Sequence, residues 1–98
     1  MSENKNFKNR FCNVEIISKF IIENVKNIKQ NNNKPFKHFT YQDNDKKIEI
    51  TLGMRAFNLT IYYKEDKFKS LSYRVNTNSY RSLDKFKDIL KEVFKIEQ

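Results

Sequence analysis

Apolar residues recur at two different periods along this chain, and the change of period divides it. Val14, Ile17, Ile21, Val25 and Ile28 return every three to four positions, the spacing that lines one face of an α-helix, with Phe20 on the flank. Asn13 stands just before the stripe, where its side chain suits the free N–H groups of a first helical turn. Lys26 and Lys29 suit the negative end of the helix dipole, and the run Asn31, Asn32, Asn33, Lys34, Pro35 then stops the helix. Ile16 and Ile22 fall off the stripe, which predicts either cover on a second side or a modest contact patch.

From Phe36 the period becomes two, and four segments alternate: Phe39 and Tyr41; Ile48, Ile50 and Leu52; Phe57, Leu59, Ile61 and Tyr63; Leu71, Tyr73 and Val75. A loop from Asp43 to Lys46 sets Tyr41 opposite Ile48, and a loop from Glu65 to Lys67 sets Ile61 opposite Leu71. Between them, a two-residue Gly53-Met54 turn of the II′ type sets Leu52 opposite Arg55 and Ile50 opposite Phe57. All three connections place the apolar set on one face, as an antiparallel meander requires.

After the strands, Ser82 is placed to cap a helix carrying Leu83, Phe86, Ile89, Leu90, Val93 and Phe94 on one broad face. The expected object is an α+β two-layer sandwich of α-β-β-β-β-α order: a four-stranded antiparallel meander with two antiparallel helices on one face. Residues 1–9 read as a mobile polar tail and residues 10–98 as a single domain.

Composition agrees with a packed interior, since hydrophobic residues form 38% of the 98, nine Phe and ten Ile among them. Cys12 has no second cysteine to pair with, and the longest apolar stretch, Ile16 to Ile22, is far too short to span a bilayer. Nothing at the N-terminus reads as a secretory signal, so a cytoplasmic location and no membrane partner are expected. The net charge of +8 points to a polyanion. Against that, 16 of the 20 basic residues are Lys, accompanied by 13 Asn and 10 Ile, all with AT-rich codons, so genome composition alone offers an alternative origin for the charge. Its distribution is informative: the two expected helices are nearly balanced, while residues 29–47 and residues 55–78 carry +3 each.

The chemistry-bearing residues are few. His38 is the sole histidine, which by count excludes a His pair or a two-His two-Cys zinc site. Asp43 and Asp45 lack the Gly and distal Glu of an EF-hand and read as Asx-turn residues. A single Gly permits no Gly-rich phosphate loop. No catalytic residue, metal or cofactor is therefore expected.

What remains is the strand face pointing away from the helices. Lys47, Lys64 and Arg74 lie there on three neighbouring strands, with His38, Asn58, Thr60 and Tyr62, so a phosphate backbone can cross the cations while a base stacks on Tyr62. The same residues also suit a merely soluble sheet, since Thr and Tyr favour strands and Lys and Arg keep an open face wet.

The leading expectation is a small non-enzymatic binding or inhibitor protein docking this basic surface on a nucleic acid or nucleoprotein complex, of a kind a phage or mobile element uses against bacterial defence or regulation. A protein-protein module, acting as a homodimer or adaptor through Ile16, Ile22 or the edge strands, is the alternative, and monomer versus homodimer is left open. A small ribosome-dependent RNase using His38 and Arg74 ranks below both. No family is recognised: double-stranded-RNA-binding domains share the helix–strands–helix order but have three strands and a basic start to the last helix, where this chain has Leu83, Asp84, Lys85.

Overall fold

The computed structural model describes residues 14–31, 37–53, 55–66, 69–77 and 81–96. The expected tail over residues 1–9, Cys12, the Asn13 cap, the stop at Pro35, and Met54 and Phe68 lie outside them. Helix α1 covers 14–24 of the described residues. Strands β1 (Lys29–Gln30), β2 (Lys37–Gln42), β3 (Lys46–Leu52), β4 (Ala56–Tyr63) and β5 (Ser70–Asn76) follow, and then helix α2 (Ser82–Phe94). The strands pair antiparallel in chain order, so the α+β meander is present with one strand more than expected.

That extra strand corrects the expected first helix. The Val25 N–H still donates to the Ile21 carbonyl at 2.9 Å, but Asn27 then takes a φ of 64°, in the left-handed region. Asn is among the few residues with a Cβ that enter this region readily, and a helix cannot propagate through it. Lys29 and Gln30 consequently pair with Thr40 and Phe39 as β1, so Lys29 lies in the sheet and not at a helix end. Val25 lies beyond the helix yet is buried, so the apolar period outlasts the helix and conceals its end.

The insertion also reverses one helix relative to the expectation. Glu15, near the start of α1, pairs with Lys37 at 3.8 Å, and Lys37 lies opposite Leu52 at one end of the sheet. The other end of α1 reaches the far end of β2, where Asn24 and Val25 share a cavity with Tyr41, Phe94 and Ile96. Helix α2 also begins at the first of these ends, where the Ser82 hydroxyl donates to the Asn76 carbonyl, and finishes with Phe94 edge-on to Tyr41, ring centroids 5.4 Å apart. The two helices therefore run in the same direction, not antiparallel. A strand interposed between α1 and the meander turns the chain once more than direct entry would.

Both helices cover the expected face. Phe39, Ile48, Ile50, Leu52, Phe57 and Leu59 from the sheet meet Ile17, Ile21, Phe86 and Leu90, all with no solvent exposure. Burying a side chain of this size contributes about 1.5–3 kcal/mol, so this interior dominates stability. Phe57 and Phe86 pack at 5.2 Å between ring centroids, tying β4 to α2. Ile16 and Ile22 stay exposed on the outer side of α1, so the described residues cover that helix on one side only.

Two local expectations change. Ser82 is the first residue of α2, with Arg81 at the cap position and no side-chain cap bond, so its hydroxyl ties the helix to β5. The β3–β4 hairpin closes where the Gly53 N–H donates to the Ala56 carbonyl at 3.0 Å, pairing Leu52 with Phe57 and Ile50 with Leu59. Gly53 does not take the positive φ of a II′ turn. The register thus moves by two residues from that expected, and because the side-chain period is two, the faces are unchanged. Tyr41 pairs with Ile48 and Ile61 with Leu71, as expected.

Candidate functional site

The pairing arranges the outer face in rows. One runs Gln42, Lys47, Tyr62, Ser70; the next runs Lys29, Thr40, Glu49, Thr60, Ser72; the third runs His38, Thr51, Asn58, Arg74. Lys47, Lys64 and Arg74 are exposed, as is Tyr62 at 44%, while Asn58, Thr60 and His38 are half-buried. Among the described residues no helix packs on this side.

The cations are unevenly spaced. Lys47 and Lys64 line one open cleft of about 580 Å³ at the β2–β3 hairpin end, and Lys29 of β1 is the third lysine in its wall. Thr40, Gln42, Asn27 and Asn44 add hydroxyl and amide groups to the lining. Arg74 shares the face but lies two strands across and four residues along from Lys47, a backbone separation of about 16 Å at ordinary sheet spacing. The apolar period assigns Lys29 to the end of a helix, which hides its place on this face. Its two-residue strand carries no apolar residue to mark it.

Asp43, Lys47 and Lys64 each have a defined local partner at the cleft. The Asp43 carboxylate turns inward, with Oδ1 accepting from the Asp45 and Lys46 amides at 2.7 and 2.9 Å and Oδ2 accepting from the Tyr41 hydroxyl and Lys46 Nζ. Chiefly through the Asp45 amide, and then the Lys46 amide, the Tyr41 hydroxyl and the Lys46 ammonium, its pKa is lowered to about 2 in spite of partial desolvation. Donation to Asp43 correspondingly raises the Tyr41 phenol above its ordinary value. Lys46 thus offsets the acid in the cleft wall. Lys64 Nζ donates to the Asp43 carbonyl, which swings it over the hairpin, and Lys47 Nζ lies 3.4 Å from Glu49. The exposed Lys47–Glu49 pair holds its ammonium only weakly, worth about 0–1 kcal/mol, so an anion can draw it away.

Thr60 and Ser72 share a hydrogen bond at 3.2 Å across β4 and β5, and Arg74 Nε reaches Asn76 Oδ1 at 3.4 Å. His38 and Arg74 stand at opposite ends of their row, three strand spacings or about 14 Å apart along the sheet. His38 Nδ1 is buried and has no hydrogen-bond partner among the described residues. No helix among them is long and apolar enough to cross a membrane.

In comparisons with protein-family models, with curated proteins and with solved structures, nothing matches this chain.

Proposed function

We propose that this chain is a non-enzymatic, cytoplasmic binding protein that docks the open face of its sheet on nucleic acid, free or within a nucleoprotein complex. The observation that supports this best is the convergence of Lys29, Lys47 and Lys64 on one cleft of about 580 Å³, one strand from the exposed ring of Tyr62. Lysines around a polar recess attract phosphate and release its counterions, and an exposed tyrosine offers a base a stacking surface. The non-enzymatic part rests on the sequence, in which one His and one Gly leave no His pair and no Gly-rich phosphate loop.

The test is a titration of labelled RNA and DNA at several salt concentrations. Affinity falls as salt rises, with a logarithmic slope of about −1.4 for two phosphates on a single strand, and Lys29→Glu, Lys47→Glu and Lys64→Glu together abolish binding. No binding at low salt, or binding indifferent to those changes, rejects the proposal.

One observation favours a second reading, a protein-protein module. β5 is an outer strand of the sheet, and Leu71 on it is 43% exposed although it points to the apolar face. Pairing of two β5 edges would cover it. Light scattering across concentration then reports a dimer that Leu71→Lys dissociates, whereas a monomer at all concentrations rejects this use of the edge.

A further inference from the structure

We infer that the ligand of this face is single-stranded nucleic acid, with one phosphate in the Lys29–Lys47–Lys64 cleft, a base stacked on Tyr62 and a second phosphate at Arg74. The inference rests on the nucleic-acid reading and narrows it. The cations of the face are separated by a stretch that carries a carboxylate and hydroxyls. Lys29, Lys47 and Lys64 gather at the cleft, the middle row beyond Lys29 and Thr40 presents Glu49 with the hydroxyls of Thr60 and Ser72, and the third row carries Arg74.

A phosphate at the centre of the middle row would face the Glu49 carboxylate, so only a base or a sugar suits that position. Single strands present bases and phosphates separately in this way, because their bases can be splayed from the backbone. A duplex keeps its bases stacked inside, and among the described residues nothing protrudes from this face to enter a groove: both helices lie on the other side of the sheet. Tyr62 sits between Lys47 and Ser70, where a base leaving the cleft meets its ring first.

Geometry also sets a minimum length. Lys47 of the cleft and Arg74 are about 16 Å apart along the sheet, and a stacked strand advances about 3.4 Å per nucleotide, so about five stacked nucleotides reach both, and fewer when extended. A dinucleotide fills the cleft alone.

The experiment compares oligonucleotides of about two and about ten nucleotides, as RNA and as DNA, with a duplex of the longer sequence. The longer single strand binds the wild-type protein at least about tenfold more tightly than the dinucleotide. Arg74→Glu removes that gain and leaves dinucleotide affinity unchanged, Lys47→Glu weakens both, and Tyr62→Ala weakens the long single strand about tenfold with little effect on duplex. Arg74 and Tyr62 are exposed, so their variants are expected to keep the fold, with thermal unfolding unchanged as the check. Equal affinity for both lengths, or duplex bound as tightly as single strand with Tyr62→Ala neutral, overturns the single-strand track while leaving nucleic-acid binding in place. Failure of every oligonucleotide to bind at low salt overturns both.

Discussion

Asp43 joins the fold to the site at the scale of one residue. Its carboxylate closes the β2–β3 turn through the Asp45 and Lys46 amides, while its own carbonyl holds Lys64 over the cleft. The folded chain favours the ionised form, because the pKa of about 2 lies below the ordinary 3.8. The sign follows: the turn's contribution is fully present above about pH 4 and is lost as pH falls through about 2. Carboxyl NMR is expected to give Asp43 a midpoint near 2, and a midpoint near 3.8 would remove the turn bonds from the account. Asp43→Asn keeps an oxygen acceptor and preserves protection of the Asp45 and Lys46 amides from hydrogen exchange. Asp43→Ala loses it, and equal protection in the two variants would contradict the assignment.

At the scale of the element, the decisive position is Asn27, where the chain leaves α1 for β1. A φ of 64° favours glycine, so Asn27→Gly should hold or raise stability while Asn27→Val lowers it by about 1–2 kcal/mol, read by urea unfolding. Equal effects of the two changes would mean that residue 27 is not held in the left-handed region. The junction of α2 with the sheet is tested by Phe86→Ala, which empties the site against Phe57 and costs about 3–5 kcal/mol, whereas a loss under about 1 would place Phe86 outside the core.

These elements also mark what the sequence made legible. Strands β2 to β5 could be read because Phe39, Ile50, Leu59 and Val75 alternate with polar residues, and a two-residue error at Gly53 left every face intact. The end of α1 could not, because Val25 and Ile28 stay against the core after the helix has stopped. β1 has only Lys29 and Gln30, with no apolar period at all, and the direction of α1 could not be right without it.

For the whole molecule, the consequence is a division of labour between the two faces of one sheet. One side is closed by two helices running in the same direction, and the other carries Lys29, Lys47, Lys64, Tyr62 and Arg74 to solvent. Alternation alone identified the outward position of Lys47, Lys64 and Tyr62. It did not separate Arg74 from the cleft, since that depends on which row each residue occupies, nor did it include Lys29, whose strand was unseen.

The most direct measurement is a backbone-amide NMR titration of the labelled protein with a single-stranded oligonucleotide at low salt. The account predicts shift changes concentrated at Lys29, Thr40, Lys47, Tyr62 and Lys64, extending to Arg74 with the longer strand and fading as salt is added. Changes centred on Ile16 and Ile22 of α1, or no changes at any ratio, would contradict it.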